Sequence, residues 1–426
     1  MKKTDKQYKA YVSILKEELV PAMGCTEPIA IAYAAAKARQ TLGLQPDQVH
    51  IDASDNIIKN VKSVVVPNTG NLRGIEASAV AGIVAGDPDK VLEVIANVDD
   101  QGRKDMKAFL ETNQVTVSST KGDLIFDLKV SVSAGKSSAS VRISHFHTNI
   151  VEITKDGNVI FSSQPCEETG SNTLTDRSAL NVADIIDFAD SVDISDVKDI
   201  LKRQIKYNIL IAKEGIQGKW GANIGSVLLN TWGDDIKIRA KAMAAAGSDA
   251  RMSGCELPVV IVSGSGNQGI TASVPVIEYA KELKTDEEDT LRALVVSNLI
   301  TIHQKTGIGR LSAYCGAVSA GVGAGAGIAW LHGGRFKEIA HTIVNALAIV
   351  SGIVCDGAKP SCAAKIASSV EAGILGFHMY ENGQQFYGGE GLVTKGVENT
   401  IANIGRLGRD GMRETDKEII RIMLGK

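Results

Sequence analysis

The residues with the clearest capacity for chemistry are three cysteines in the last third of the chain. Cys315, Cys355 and Cys362 lie in a glycine-rich, apolar region, and the last two bound the segment Cys-Asp-Gly-Ala-Lys-Pro-Ser-Cys. Three thiolates can hold an iron–sulfur cluster and leave one iron without a protein ligand, and such an iron is a Lewis acid. The spacing lacks the Cys-x-x-Cys repeat of ferredoxins, and free cysteines are often small buried apolar residues. Spacing alone therefore leaves both interpretations open.

A fourth cysteine, Cys25, lies far from the others in the segment Met-Gly-Cys-Thr-Glu-Pro at 23–28. Thr26 is a suitable N-cap, which predicts a helix from there to about Leu42. Cys25 then precedes a helix N-terminus, whose partial positive charge stabilises a thiolate. Three interpretations remain: a metal ligand, a catalytic thiolate or an inert buried cysteine. Cys166 and Cys255 lack comparable surroundings, and we predict that neither is a ligand.

A glycine-rich turn, Ser-Gly-Ser-Gly-Asn-Gln-Gly at 263–269, follows a strand-like run and precedes a predicted helix. Consecutive backbone amides at such a turn form an anion site that suits a carboxylate or a phosphate. We expect substrate contacts from this turn, although a plain tight turn is the alternative. The residues concerned are Gly264, Ser265, Gly266, Asn267 and Gln268.

Other polar candidates are weaker. Asn68 lies in an Asn-Thr-Gly turn and is a candidate for substrate binding. Arg177 could pair with a substrate carboxylate, with a solvated helix N-terminus as the alternative. Lys359 is either a cation beside the metal centre or an ordinary loop lysine. His145 and His147 alternate on a predicted strand, but no third ligand accompanies them, so we predict no metal site there.

The elements around the three cysteines predict how they meet. Apolar helices at about 317–331 and 337–353 form an antiparallel pair, which returns Cys355 to the level of Cys315. Gly357 and Pro360 predict a loop that enters the next helix at Pro360. Such a loop can bend enough to direct Cys355 and Cys362 to one centre.

Composition restricts the class of protein. The chain has 426 residues, of which 44% are hydrophobic and 22% charged, which is typical of a soluble globular protein of about two domains. A net charge of −3, no basic block and an aromatic content of 4% argue against nucleic-acid binding. The uncharged run from Ser312 to Leu331 is long enough to span a membrane, but its glycine and alanine content favours a buried helix. With no secretory signal, we expect a cytoplasmic protein without disulfides.

The predicted fold class is α+β. Residues 1–45 are predicted to form N-terminal helices that pack on the catalytic body, and residues 171–426 a helical, cluster-binding catalytic domain. Residues 46–170 are predicted to form an inserted α/β domain with a mixed or antiparallel sheet. Its predicted strands include Val61–Val66 and a hairpin that turns at Asp156-Gly157.

Four motifs together resemble the L-cysteine desulfidase family, which is related to the α-subunit of iron–sulfur L-serine dehydratases. They are Met-Gly-Cys-Thr-Glu-Pro at 23–28, Gly-Ser-Gly-Asn-Gln-Gly at 264–269, Tyr-Cys-Gly at 314–316 and the segment 355–362. The likeness extends along essentially the whole chain. It implies a 4Fe-4S enzyme, a carbon–sulfur lyase that converts L-cysteine to pyruvate, ammonia and sulfide.

The resemblance gives two ligand sets. The desulfidase cysteines match Cys25, Cys315 and Cys355, whereas the serine dehydratase pattern matches Cys315, Cys355 and Cys362. We favour the second set, because the apolar helix pair brings it together and leaves Cys25 as the candidate base.

Several functions remain open beside the L-cysteine desulfidase. They are an L-serine dehydratase that uses the same open iron, a pyridoxal-phosphate lyase and a non-catalytic, metal-stabilised or cysteine-binding protein. We expect L-cysteine as the small-molecule substrate, and the helical, apolar chain makes a homodimer plausible.

Overall fold

The computed structural model describes residues 1–120, 122, 124–163, 174–309 and 311–425. Across these residues the fold is α+β and mainly helical, with one large mixed sheet and one small antiparallel pair of strands. This confirms the predicted fold class. Within the same residues, no helix combines the length and the apolar character that crossing a membrane requires.

The α-helices are numbered in chain order. They are α1 (Lys6–Glu18), α2 (Thr26–Leu42), α3 (Asp55–Val61), α4 (Gly74–Ala85), α5 (Asp100–Thr112), α6 (Val182–Ser191), α7 (Lys198–Gln217), α8 (Ile224–Trp232), α9 (Ile236–Met252), α10 (Gly266–Glu282), α11 (Glu287–Ile308), α12 (Gly316–Leu331), α13 (Phe336–Ile349), α14 (Cys362–Glu381), α15 (Val397–Arg406) and α16 (Arg413–Leu424). Short 3₁₀ turns occur at Pro88–Glu93, Arg177–Ala179 and Ile194–Asp196, and a π-helical turn at Leu407–Gly411.

The strands are β1 (Pro21–Met23), β2 (Gln48–Ala53), β3 (Gln114–Ser119), β4 (Asp127–Ala134), β5 (Ser137–Ser144), β6 (Ile150–Lys155), β7 (Asn158–Ser162) and β8 (Pro258–Val260). The large sheet has the order β3-β2-β4-β5-β6-β7, in which β2 and β3 are parallel and the other neighbours antiparallel. The hairpin at Asp156-Gly157 is confirmed, with φ of 48° and 79°.

One face of the sheet is covered by α2. Ile51, Val130 and Val141 lie opposite one another on neighbouring strands and are fully buried. Helix α2 packs against β4 and β5, while α1 packs elsewhere, with Tyr8 and Tyr11 each 5.3 Å from the ring of Phe188 in α6. The two N-terminal helices therefore contact different parts of the molecule, and the three predicted domain ranges remain a prediction.

Helix α12 is the centre of the helical body and is buried on all sides between α10, α11, α13 and α14. Its glycines lie against the backbone of α14: Gly321 faces Ser369, and Gly325 faces Gly373. From the first contact to the second, the residue number rises by four on both helices, so α12 and α14 run parallel. The prediction that this glycine- and alanine-rich run is a buried helix is confirmed, and the parallel packing places the N-termini of both helices at one end.

The strand pair β1–β8 joins two distant parts of the chain. Pro21 pairs with Val260 and Met23 with Pro258, in antiparallel register. The antiparallel register sends the chain after β1 and the chain after β8 to opposite ends of this short pair. The starts of α2 and α10 are joined instead by a hydrogen bond from Thr26 Oγ1 to the Gly264 carbonyl oxygen.

Several element boundaries differ from the prediction. The apolar run Val61–Val66 is not a strand: α3 ends at Val61, and a turn follows with a single bridge between Val65 and Arg73. Val64 is buried there against Cys25 and Met252, which explains its apolar character without a sheet. Helix α12 begins at Gly316, close to its predicted start at about 317, whereas α16 was not predicted.

Candidate active site

Cys315 and Cys355 are brought together by a short antiparallel bridge between Tyr314 and Val354. The backbone N–H groups of the two cysteines each donate a hydrogen bond to the opposite segment, at 3.0 Å for Cys315 and 2.7 Å for Cys355. The bridge lies where α12 begins and where the chain returns from α13. The apolar helix pair thus delivers both thiols to one place.

Cys362 is the first residue of α14 and follows a tight loop. Its Sγ lies 3.7 Å from the carbonyl oxygen of Gly357. Gly357 has a φ of 93°, and a Cβ on it would lie 2.5 Å from the carbonyl oxygen of Lys59 in α3. Only glycine fits this close contact without strain. The loop therefore folds against α3 and keeps Cys362 near Cys355.

Charged side chains fix this loop from two sides. Asp356 accepts hydrogen bonds from Lys359 and Lys365, and Lys365 also donates to the Val354 carbonyl oxygen at 2.7 Å. Burial alone raises the pKa of Asp356, but the two lysines lower it to about 2. The predicted substrate residue Lys359 is thus a partner of Asp356 beside the cysteines.

A further cation, the buried Lys59 of α3, acts on Cys355. The ammonium of Lys59 is buried and forms an ion pair with Asp416 of α16. A hydrogen bond between the thiols of Cys315 and Cys355 raises the pKa of the first and lowers that of the second, and the charge of Lys59 lowers that of Cys355 further. Burial raises the pKa of Cys362. Cys355 is therefore the most readily ionised of these thiols.

Cys25 lies immediately before α2 and is only 2% exposed. Its Sγ is 4.0 Å from the sulfur of Met252, and Cys362 packs against the small cluster of Cys25, Val64 and Met252. Burial raises the pKa of Cys25 to about 12, while the charge of Arg251 acts in the opposite direction. The lowering expected from the helix N-terminus is thus outweighed by desolvation.

The N-termini of α2, α10, α12 and α14 meet at this site. Thr26 Oγ1, at the start of α2, donates to the Gly264 carbonyl oxygen just before α10 at 2.8 Å. At the start of α12, a Cβ on Gly316 would lie 2.6 Å from the carboxamide carbon of Gln268, so the first turns of α10 and α12 touch. Helix N-termini carry partial positive charge, and their combined field favours thiolates and anionic ligands.

The predicted anion turn has the required backbone. Ser263 and Gly264 have φ of 48° and 78°, and Val262 forms a bridge with Ser265. Ser265 is the N-cap of α10 and makes no side-chain cap hydrogen bond. Because the first amides of a helix lack intrahelical acceptors, the turn can present its N–H groups to an anion.

The sequence analysis missed Arg251, which lies at the end of α9 and is 4% exposed. Its Nη1 donates to Asn267 Oδ1 at 3.1 Å, which links it to the anion turn, and Asn267 Nδ2 contacts the Met252 sulfur at 3.6 Å. An arginine among the alanines of 240–250 was the available signal, because such a cation must find a partner when it is buried.

Comparisons with known proteins agree with this geometry. Residues 87–421 match the family described as "Serine dehydratase alpha chain". The chain belongs to this family. It is 62% identical to a UPF0597 protein of Desulfitobacterium hafniense over 426 residues, which cover 100% of this chain and 99% of the relative. UPF0597 proteins of Lachnoclostridium phytofermentans and Treponema denticola are 54% and 45% identical, and each match covers 98% of this chain and at least 98% of the relative.

The residues present in this serine dehydratase alpha chain homologue fit an iron–sulfur cluster. Cys315, Cys355 and Cys362 would supply an all-sulfur donor set, and Lys59 and the helix N-termini would offset the negative charge of a bound cluster. In the described part of the chain, no group of three His, Cys, Asp or Glu side chains could hold a metal ion. A cluster is much larger than one ion, so the thiols of Cys315 and Cys355, which are hydrogen-bonded to each other here, would have to separate to bind two of its irons.

Two predicted substrate residues of this family member have protein partners of their own. Arg177 is paired with Glu17 at 2.7 Å and with Glu18 at 2.9 Å, which removes the reason for assigning it a substrate carboxylate. Asn68 is buried and donates to the Ile95 carbonyl oxygen at 2.8 Å. It lines a cleft of about 640 Å³ together with Cys255. Cys166 lies outside the described residues.

A buried polar group flanks Cys25 in the first turn of α2. Glu27 accepts a hydrogen bond from Asn60 Nδ2 at 3.0 Å, and its carboxylate is 4.0 Å from Nε2 of His147. Burial alone raises the pKa of Glu27, but His147 and Arg251 bring it down to about 2. His147 lies in a loop after β5, not on a strand.

Proposed function

We propose that this protein is an L-cysteine desulfidase, a carbon–sulfur lyase that forms pyruvate, ammonia and sulfide from L-cysteine and water. One observation carries the proposal: Cys25, Cys315, Cys355 and Cys362 gather where the N-termini of four helices meet. An all-thiol site of this kind, next to an anion-binding turn, suits a substrate with a thiol and a carboxylate. The family supports lyase chemistry of this type.

Cys315, Cys355 and Cys362 would hold a 4Fe-4S cluster. When bound, the cluster supplies a Lewis-acidic iron with affinity for a sulfur leaving group. The amides of Gly264, Gly266, Asn267 and Gln268 would hold the substrate carboxylate, while the Ser265 N–H is already bound to the Val262 carbonyl oxygen and Ser265 shapes the turn. Val64 and Met252 would keep water away from the reacting carbon.

Cys25 is our candidate for accepting the α-proton. It lies against Met252, within the electrostatic reach of Cys362 and Arg251. An acceptor must be the thiolate, which burial disfavours by raising the pKa of Cys25 to about 12 and which the charge of Arg251 favours. Loss of the α-proton and cleavage of the carbon–sulfur bond give sulfide and aminoacrylate. Aminoacrylate then tautomerises and is hydrolysed to pyruvate and ammonia, so the step needs no oxidant or reductant.

The test is anaerobic purification, followed by iron and sulfide quantitation and a sulfide-release assay with L-cysteine. We expect Cys315→Ser, Cys355→Ser and Cys362→Ser to lose the broad visible absorbance of the cluster. We expect Cys25→Ala to keep that absorbance and to lose turnover about 10²- to 10⁴-fold. Cys255→Ala is the matched control, since this cysteine is also buried but is not part of the cluster of Cys25, Val64 and Met252 that Cys362 contacts. If Cys25→Ala loses iron and Cys362→Ala retains it, the two roles must be exchanged.

The second candidate is an L-serine dehydratase, which the family description favours. It would use the same residues to eliminate water from L-serine. Competition between L-serine and L-cysteine under anaerobic conditions separates the two, because the preferred substrate has the higher kcat/KM. Pyruvate formation from L-serine with no sulfide release from L-cysteine would replace our proposal by this one.

A further inference from the structure

Arg251 differs from other buried cations of the described chain in its partners. Lys59 is paired with Asp416, and Lys241 with Glu371. The guanidinium of Arg251 contacts only the neutral Asn267, and its Nε has no hydrogen-bond partner. The buried carboxylate of Glu27 feels the charge of Arg251 but makes no ion pair with it. A buried charge without a directly paired counter-charge is costly unless a ligand supplies one. Among the described residues, no carboxylate forms an ion pair with Arg251.

The location of this guanidinium points to the ligand. It lies against the first residue of α10, where a Cβ on Gly266 would be 2.8 Å from Arg251 Cζ. The amides of the same helix start are the anion-binding groups of the turn. A carboxylate at this point would meet both a planar guanidinium and backbone N–H donors, which is the strongest form of carboxylate recognition in proteins.

A second unsatisfied atom lies in the first turn of α10, two residues after Gly266. Gln268 is 5% exposed, and its Oε1 has no hydrogen-bond partner. Its carboxamide lies against Gly316, next to Cys315. A carbonyl-type oxygen accepts hydrogen bonds and suits an ammonium group. Arg251 and Gln268 thus offer complementary partners for the two charged groups of an α-amino acid.

We propose that Arg251 is the residue that restricts this site to free α-amino acids, by binding the α-carboxylate while Gln268 Oε1 accepts from the α-ammonium. This inference rests on the proposed function and deepens it. Amines without a carboxylate, and amides or esters of amino acids, are excluded because they leave the Arg251 charge uncompensated.

The experiment uses the anaerobically purified full-length protein and two readouts. The first is calorimetric binding of L-alanine, which has both charged groups but no leaving group, compared with L-alaninamide, which lacks the carboxylate. The second is KM and kcat for L-cysteine. Arg251→Gln should weaken L-alanine binding and raise the KM for L-cysteine roughly 10- to 100-fold. Arg251→Lys should give values between those of wild type and Arg251→Gln, because lysine keeps the charge but lacks the planar guanidinium.

Arg239→Gln is the matched control, since Arg239 lies on the same helix and pairs with Glu282 at 2.6 Å. It should leave both readouts unchanged. Wild-type protein that binds L-alaninamide as tightly as L-alanine overturns the inference, and this arm needs no variant to fold. Sulfide release with an unchanged KM in Arg251→Gln also overturns it while the proposed function stands. Arg251-dependent binding of L-alanine without any sulfide release supports the amino-acid site and refutes the desulfidase.

Discussion

The contact between α12 and α14 should be sensitive to one added methyl group. A Cβ at Gly325 would lie 2.7 Å from the carbonyl oxygen and 2.8 Å from the Cα of Gly373. Real Cβ atoms essentially never approach closer than 3.0 Å, and the neighbour here is backbone, so the two helices must separate by several tenths of an ångström. Overpacking of this kind costs about 1–3 kcal/mol, of which the better helix propensity of alanine returns at most about 1 kcal/mol.

This separation should also reach the cysteines. Cys315 immediately precedes α12, and Cys362 begins α14, so a shift between these parallel helices changes the distance between two predicted ligands. We expect Gly325→Ala to lower the urea midpoint of unfolding and the iron content after anaerobic purification. Gly352→Ala is the control, because a Cβ added at Gly352 would have nothing within 4 Å. Wild-type midpoint and iron content in Gly325→Ala would refute the role of this contact in spacing the thiols.

Three further predictions concern the surroundings of the site. Lys59→Met should destabilise the protein by about 3–5 kcal/mol, because it leaves Asp416 without its buried partner, whereas Lys59→Met/Asp416→Leu should recover most of that loss in urea unfolding. Glu27, with a pKa lowered to about 2, stabilises the fold above the ordinary carboxylate pKa of about 4.5, and this contribution disappears as the pH falls towards 2. Wild-type protein should therefore lose up to about 3 kcal/mol more than Glu27→Gln between pH 6 and pH 2, and equal pH profiles would contradict this. Gly316→Ala should displace the Gln268 carboxamide and weaken L-alanine binding without loss of iron; calorimetry and iron content test both parts.

The sequence was most informative where local patterns determine the structure. The mixed sheet, the Asp156-Gly157 hairpin and the buried glycine-rich helix α12 all follow from alternation, turn residues and apolar runs. The same patterns misled where burial has another cause. Val64 is apolar because it covers Cys25 and Met252, not because it belongs to a strand.

The site residues that sequence patterns could not predict depend on contacts between distant segments. The helix N-terminus predicted that Cys25 ionises readily. Met252, 227 positions later in the sequence, helps to bury the thiol, and this burial raises the pKa of Cys25. Arg177 was predicted to bind a substrate carboxylate, but its guanidinium is already paired with Glu17 and Glu18 of α1. Arg251 gave no motif at all. Its significance lies in the partners that it lacks, and these are visible only in three dimensions.

The meeting of four helix N-termini gives the separate observations a common physical cause. The hydrogen bond from Thr26 to Gly264 joins the starts of α2 and α10, and the glycine contacts between α12 and α14 place their starts at one end. Each start carries partial positive charge, and each is followed or preceded by a group that benefits from it: Cys25, the anion turn, Cys315 or Cys362. An anionic metal centre and an anionic substrate would both be stabilised by the same field. The glycines of α12 and α14 therefore serve the site as well as the core, because without their close contact the two C-terminal helix starts could not meet there.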